Sequence, residues 1–131
     1  QEFPFDYVFI PQTLWDDDDP VDVIILTTYP LLSGTVVRVR PVGLMNMIDS
    51  GESDDKLLAV PIDDPRWVKV EDLADINPHT LKEIEHFFQT YKQLQGKEVT
   101  VRGFAPKAKA LEVFSRGVKL YAEERSIIKN Y

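Results

Sequence analysis

The sequence predicts an α+β domain, mainly β, built around a small barrel or a strongly curved sheet. Two observations support this prediction. Several short runs of β-branched and aromatic residues are separated by turn residues, and two segments with helical spacing of apolar residues stand late in the chain. The chain has 131 residues, of which 44% are hydrophobic, so we expect a single domain over residues 1–131 with one core.

Short strands are predicted along much of the chain. They cover residues 5–11, 21–27, 35–44, 47–48, 57–62 and 99–104. Pro41 lies inside the third run and predicts a sheet edge or a bend there, because proline has no backbone N–H to donate. Gly51 predicts a turn between the fourth and fifth runs.

Two helices are predicted in the second half of the chain. Asn77 followed by Pro78 is typical of a helix start, and Gly96 is typical of a helix end. The second helix follows Pro106. Helical spacing defines an apolar stripe on each helix: Leu81, Ile84, Phe87, Phe88, Tyr91 and Leu94 on the first, and Leu111, Phe114, Val118 and Tyr121 on the second.

Composition limits the partners and the compartment. The formal net charge of −7 argues against a nucleic-acid partner, because such proteins present a basic face. No apolar run approaches the roughly 18 residues of a membrane helix, so we expect no membrane partner. Cysteine is absent, which excludes disulfides and thiolate sites and fits a reducing compartment. We expect a cytoplasmic protein, with a transit peptide in an upstream segment as the alternative.

The acidic residues are concentrated in two short segments, and the first is LWDDDDPVDV at residues 14–23. In an extended chain, residues two apart point the same way, so Asp17 and Asp19 would share a side. Asp22 lies beyond the turn that Pro20 favours.

The second acidic segment is MIDSGESDDKLL at residues 47–58. Gly51 allows the chain to turn back, so Asp49 and Asp54 can converge, and Lys56 would lie on the same face as Asp54. Mg²⁺ prefers carboxylate and water oxygens, and a site with several such ions can deprotonate a water. A lysine beside the acids indicates an anionic substrate, of which phosphate esters and polyphosphates are the obvious class.

Each feature also has a simpler interpretation. Either acidic segment alone is more typical of a solvated turn than of a metal site. The first segment does not fit an EF-hand loop, because Val21 falls at the fifth position and Asp22 replaces the glycine at the sixth.

Other polar residues have ordinary explanations too. Tyr91 on an amphipathic helix is more often a core residue, and Lys92 more often solvated. Arg38 and Arg40 are predicted to pair with acids on the sheet surface. Neither His79 nor His86 receives a role.

Three segments taken together point to a family. DDDDPVDV at residues 16–23, GLMNMIDSGESDDKLLAVPIDDP at 43–65 and EIEHFFQTYKQLQGKE at 83–98 closely resemble soluble family I inorganic pyrophosphatases, particularly plant and archaeal members. The first segment fits the family's Asp-x-Asp-Pro-x-Asp signature. The similarity extends over residues 3–121, nearly the whole chain.

This resemblance implies a five-stranded OB-like barrel flanked by two helices, which hydrolyses pyrophosphate to two phosphates with several Mg²⁺ ions. It also implies that Asp19 accepts a proton from the attacking water, and it leaves a homo-oligomer open. The implied metal ligands are Asp17, Asp22, Asp49 and Asp54, with Asp22 bridging two ions. The implied phosphate-binding residues are Tyr7, Lys56, Tyr91 and Lys92.

The chain also departs from the family pattern. Phe3 stands where a phosphate-binding tyrosine is common, and Val8 stands where glycine is usual, which predicts strain or reshaping of the strand beside Tyr7. Asp18 occupies a common glycine position, although aspartate also occurs there. The family's upstream segment, with strands, a metal-associated glutamate and a phosphate-binding lysine and arginine, is missing, so we expect the domain to be incomplete at its N-terminus.

Two other functions compete with the enzyme. A truncated, non-catalytic relative would act as a metal-binding subunit or regulatory module. An OB-type nucleic-acid module is disfavoured by the acidic charge on the presumed binding side.

Overall fold

The computed structural model describes residues 5–27, 31, 34 and 36–129, without the side chains of residues 127–129. The described strands are β1 (Phe5–Phe9), β2 (Asp22–Leu26), β3 (Val39–Asp49), β4 (Glu52–Ser53), β5 (Lys56–Pro61) and β6 (Val99–Pro106). The helices are α1 (Pro78–Leu94) and α2 (Lys107–Lys129), and short 3₁₀ turns cover Pro65–Trp67 and Leu73–Asp75. Within the described part of the chain, neither helix is long and apolar enough to span a membrane.

The strands form one curved sheet in the order β1-β2-β5-β3-β4, and β6 pairs with β3. Strands β2 and β5 run parallel, while the other described pairs are antiparallel. The predicted fold class is confirmed: a mainly β domain with two helices and an OB-like sheet. Six strands are described, against the five that the resemblance implies, because a two-residue strand, β4, follows the turn after β3. The sheet of the described strands does not close into a complete barrel.

The central strands are buried on both faces of the sheet. Ile24 and Leu26 pack into the core under α1, whereas Val23 and Ile25 pack into the core under α2. A strand that is covered on both faces needs apolar residues at every position, which explains the continuous apolar run in β2.

The predicted strand boundaries at residues 35–44 and 47–48 were wrong. Strand β3 begins at Val39 and continues without a break to Asp49. Pairing with β5 on one side and β6 on the other stabilises this continuous strand. Residue 35 lies outside the described residues.

The prediction for Pro41 is confirmed. The register of β3 against β5 shifts between Pro41 and Gly43, and pairing of β3 with β6 starts only at Gly43. Pro41 therefore lies in a part of β3 that is paired with β5 and not with β6, beside an irregularity in the ladder, which is where proline is tolerated in a sheet.

Arg40 was predicted to pair with acids, but its described side-chain hydrogen bonds are with backbone carbonyls. Its Nη2 donates to the carbonyl oxygens of Trp67 and Val70 at 2.9 and 2.8 Å. Trp67 ends a 3₁₀ turn and Val70 lies three residues after it, and a guanidinium offers several donors for such carbonyl oxygens.

Helix α1 forms as predicted. The Asn77 side chain accepts a hydrogen bond from the His79 amide at 2.9 Å, and Gly96 follows the helix with φ +72°. Ile84 and Phe88 are its fully buried residues.

Helix α2 is present as predicted, but the large apolar residues of its stripe do not form its buried face. Leu111, Phe114 and Val118 are each about two-fifths exposed, at 43%, 37% and 42%. The buried positions are instead Ala110, Val113 and Gly117. Small residues allow the helix to approach the sheet closely, and a stripe defined by large apolar residues does not reveal such a face.

Candidate active site

Both acidic segments line one cavity of about 580 Å³. Seven of the nine predicted site residues are among its lining: Tyr7, Asp17, Asp19, Asp22, Asp49, Asp54 and Lys92. The remaining lining residues are Phe9, Pro20, Ser50, Glu52 and Lys97. The prediction that Asp49 and Asp54 converge is consistent with this geometry.

Strand pairing brings these residues together. Asp22 begins β2 and Lys56 begins β5, and the two residues are register partners in the parallel pair. Asp49 ends β3 and pairs with Glu52 across a two-residue turn. Ser50 and Gly51 in this turn have φ values of 52° and 83°, and positive φ at both central positions is typical of the tight turns that join twisted hairpin strands.

Lys56 lies beneath the cavity, with an exposure of 0%. Its Nζ donates to Tyr7 Oη, Asp22 Oδ2 and Asp54 Oδ1 at 2.8, 2.8 and 2.7 Å. An ammonium group has three protons, so these three acceptors satisfy all of them. The prediction that Lys56 and Asp54 share a face is confirmed by this contact.

The contacts in this network shift the pKa values of Lys56 and Tyr7. Burial opposes the ammonium charge, but the contacts with Tyr7, Asp54 and Asp22 outweigh it and raise the pKa of Lys56. Burial also raises the pKa of Tyr7, with Lys56 acting in the opposite direction. The phenol therefore stays protonated at neutral pH and donates to Asp22 Oδ2 at 2.7 Å.

A second lysine forms an ion pair at the cavity. Lys92 Nζ, in the last turn of α1, donates to Asp49 Oδ2 at 3.1 Å, and both side chains are nearly buried. Burial of Asp49 would raise its pKa, but hydrogen bonds from Lys92 and Ser50 outweigh this effect and lower the pKa. Lys92 is therefore not the solvated neighbour that its helix position alone suggests.

The first acidic segment forms a turn that holds Asp17 and Asp19 at the cavity. The Asp19 amide donates to Asp17 Oδ1 at 3.1 Å, and the Asp18 amide donates to the carbonyl of Trp15 at 3.0 Å. Asp18 has φ +65°, a left-handed conformation that favours glycine but that aspartate also tolerates. This conformation gives a physical reason for a glycine at this position.

Crowding among the acids makes the charge on Asp17 unfavourable. Burial, together with the neighbouring carboxylates of Asp54 and Asp19, raises the pKa of Asp17 to about 6. A carboxylate whose charge is disfavoured in this way is stabilised when a cation binds beside it.

We expect Asp17→Asn to stabilise the metal-free protein at pH 7.5. The folded-state pKa lies above the ordinary value, so the folded state loses stability as pH rises from about 4 to about 6. Asparagine avoids this loss, and we expect a gain of about 1 kcal/mol after allowance for partial solvent exposure. Thermal melts in a chelator should show the gain at pH 7.5 and not at pH 3.5. A lower Tm for the variant at pH 7.5 would contradict the expectation.

The donor chemistry of the cavity fits a hard divalent cation. Six carboxylates line it, from Asp17, Asp19, Asp22, Asp49, Glu52 and Asp54, against the two ammonium groups of Lys92 and Lys97. Carboxylate oxygens are the ligands that Mg²⁺ takes in proteins. Within the described part of the chain, no three acids already converge as a metal-binding group, and Lys56 holds two of the predicted ligands, Asp22 and Asp54.

Two predicted features stand apart from the cavity lining. The Tyr91 ring is 44% exposed and stacks on Phe87 at 5.6 Å, so its phosphate-binding role stays a prediction. Val8 pairs with Val23 in an unbroken β1–β2 register, so the expected reshaping of β1 is not observed. Phe3 lies outside the described residues.

Sequence reasoning missed three polar residues in the lining: Ser50, Glu52 and Lys97. Ser50 and Glu52 lie within the acidic hairpin, so their position beside Asp49 was available as a signal. Lys97 directly follows the glycine that ends α1, and the Lys97 amide donates to the carbonyl of Lys92 at 3.0 Å. This closing turn, the pairing of Asp49 with Val99 and the hydrogen bond from the Ser50 amide to the Glu98 carbonyl at 2.8 Å together place Lys97 near Asp49, and the spacing alone gives no such signal.

Comparison with known proteins identifies the family. A family model described as inorganic pyrophosphatase matches residues 1–122. The chain belongs to the inorganic pyrophosphatase family. The resemblance predicted from the three sequence segments is thereby confirmed.

Similar pyrophosphatases come from plants and archaea. Soluble inorganic pyrophosphatase 1 of Arabidopsis thaliana is 45% identical over 121 residues, which cover 92% of this chain and 57% of the plant protein. Inorganic pyrophosphatase of Haloferax volcanii is 49% identical over 122 residues, covering 92% of this chain and 69% of the archaeal protein. The chain thus spans little more than half of the plant relative.

Solved pyrophosphatase structures share the fold. The Helicobacter pylori inorganic pyrophosphatase superposes with a TM-score of 0.88 at 44% identity, covering 93% of this chain and 74% of that chain. The Thermus thermophilus enzyme gives a TM-score of 0.87 at 43% identity, covering 93% and 72%.

Proposed function

We propose that the whole protein that contains this chain hydrolyses inorganic pyrophosphate to two phosphates with Mg²⁺. The observation that carries this proposal is a cavity of a pyrophosphatase fold in which six carboxylates face two lysines, with a third lysine beneath them. Excess negative charge suits several cations, and the lysines suit an anionic substrate that the cations hold in place.

The carboxylates that would hold Mg²⁺ are Asp17, Asp22, Asp49 and Asp54. When bound there, Mg²⁺ would lower the pKa of a water and offset the charge of the departing phosphate. Asp17 is the clearest of these ligands, because burial and the neighbouring carboxylates disfavour its charge in the metal-free fold.

Asp19 would accept the proton of the attacking water. It lies at the cavity, and its described hydrogen bonds are made by its backbone. The Asp19 amide donates to Asp17 Oδ1, and the Asp19 carbonyl accepts from the Trp15 amide. Its carboxylate is thus left for the water. A positioned carboxylate within hydrogen-bond reach is an effective general base.

Tyr7, Lys56 and Lys92 would hold the phosphates. In the metal-free fold each lysine is paired with a predicted metal ligand: Lys56 with Asp22 and Asp54, and Lys92 with Asp49. These pairs keep the lysines ordered at the cavity. A cation bound by the carboxylates would leave the ammonium protons available to phosphate oxygens, and such charge stabilisation is the largest expected contribution to catalysis.

Phosphate release tests the proposal. The whole protein should release phosphate from pyrophosphate in the presence of Mg²⁺ and lose this activity in a chelator. A panel of phosphate monoesters at the same concentration should be turned over much more slowly. Absence of Mg²⁺-dependent pyrophosphate turnover would reject the enzyme, and Mg²⁺ binding without turnover would favour the non-catalytic metal-binding relative.

A further inference from the structure

Helix α2 reaches the acidic turn through one arginine. Arg116 Nη2 and Nη1 donate to Asp16 Oδ1 and Oδ2 at 2.6 and 3.2 Å. The guanidinium Cζ also lies 4.6 Å from the centroid of the Trp15 ring. A fork-shaped pair combined with stacking on an aromatic face fixes orientation, which a single surface ion pair does not.

Trp15 is the base of the turn that carries Asp17 and Asp19. Its amide donates to the carbonyl of Asp19 at 2.8 Å, and its carbonyl accepts from the Asp18 amide at 3.0 Å. The indole is 6% exposed, and its Nε1 donates to Ser53 Oγ at 3.1 Å. One side chain thus links the first acidic segment to the hairpin that carries the second.

The backbone of α2 also approaches this turn closely. The Leu14 amide donates to the carbonyl of Gly117 at 3.0 Å. A Cβ at position 117 would meet Val21 Cγ2 at 2.6 Å, so glycine permits the approach. Helix and turn are therefore in contact at Leu14 and Val21, on both sides of the acidic residues.

We propose that Arg116 is a positioning residue that acts through Asp16 and Trp15 to hold Asp17 and Asp19 in their cavity-facing arrangement. This assignment rests on the proposed function, because it gives Arg116 a role only in a turn that serves a metal site. Neither Arg116 nor Asp16 lines the cavity, so both act from outside it. Their pairing also neutralises one of the four consecutive aspartates.

The sign of the effect on Mg²⁺ binding distinguishes positioning from simple charge. Removal of a positive charge near a cation site would by itself strengthen Mg²⁺ binding. Loss of a positioning contact would weaken it, as happens when groups that orient metal ligands are removed. Arg116→Met is therefore the informative variant, and Lys119→Met, an exposed cation on the same helix, is the matched control.

Two measurements on the full chain decide the proposal. In metal-free Arg116→Met, the amide protons of Trp15 and Asp18 should exchange about 3- to 10-fold faster, while Tm changes by less than about 4 °C. The Mg²⁺ dissociation constant, from titration calorimetry without pyrophosphate, should rise by about 3- to 10-fold. Lys119→Met should leave both quantities near the wild-type values. Arg116→Lys should recover part of the loss, since it restores the charge but not the fork or the stacking.

Several results would overturn the assignment. Unchanged exchange at Trp15 and Asp18, tighter Mg²⁺ binding, or equal effects in Lys119→Met would each do so. A large fall in Tm would make Arg116 a general stabilising residue instead. If the wild-type protein binds no Mg²⁺, the proposed function fails, and amide exchange alone then decides whether Arg116 orders the turn.

Discussion

Asp22→Asn is expected to reduce kcat/KM for pyrophosphate by roughly 1,000-fold or more while leaving the fold intact. The proposed function makes Asp22 a metal ligand, and asparagine would replace its charge with a neutral amide. The fold should tolerate the change. In the wild type Lys56 pairs with the carboxylates of Asp22 and Asp54, and in the variant its single positive charge would still be balanced by Asp54. Steady-state phosphate release and circular dichroism melts measure the two effects.

Asp18→Asn is the matched control for this prediction. Asp18 lies in the same acidic turn, is exposed and does not line the cavity. Asparagine also tolerates its positive φ, so the substitution removes one charge without straining the backbone. If kcat/KM of Asp22→Asn lies within about tenfold of that of Asp18→Asn, Asp22 is not a metal ligand.

Lys56→Met is expected to destabilise the metal-free protein by about 3 kcal/mol. The buried ammonium group is the described partner of Asp22 and Asp54, so its removal leaves two carboxylates facing each other without a cation. Adding Mg²⁺ should recover more stability in this variant than in the wild type, because the cation replaces the lost charge. Urea titrations with and without Mg²⁺ measure both effects.

Two companion variants make this result interpretable. Lys109→Met removes a lysine whose ion pair with Glu112 is exposed, and its effect should stay below about 0.5 kcal/mol. Asp54→Asn added to Lys56→Met should restore part of the loss, because one unpaired charge disappears. A loss below about 1 kcal/mol for Lys56→Met would show that the buried network contributes little to stability.

The elements with strong local signals could be predicted from the sequence. Asn77-Pro78 and Gly96 fix the ends of α1 by capping chemistry, and the actual helix agrees. The continuity of β3 could not be predicted, because it depends on partners distant in sequence. The buried face of α2 could not be predicted either, since glycine and alanine carry little hydrophobic signal.

The same distinction applies to the site. Convergence of Asp49 and Asp54 within the second acidic segment follows from a local turn at Gly51 and from the alternation of side chains, which the sequence shows. The pairing of Lys56 with Asp22 depends on the parallel register of β2 and β5, which brings together residues 34 positions apart. Arg116 lies 100 positions from Asp16, and no local pattern predicts that contact.

Phosphorus NMR of pyrophosphate incubated with the whole protein most directly tests the central claim, because it observes substrate and product together. With Mg²⁺, the pyrophosphate signal should be replaced by that of inorganic phosphate alone, and Asp22→Asn should leave the substrate signal unchanged over the same time. Persistence of pyrophosphate with the wild-type protein and Mg²⁺, or equal conversion in a chelator, would contradict hydrolysis at this carboxylate-lined cavity.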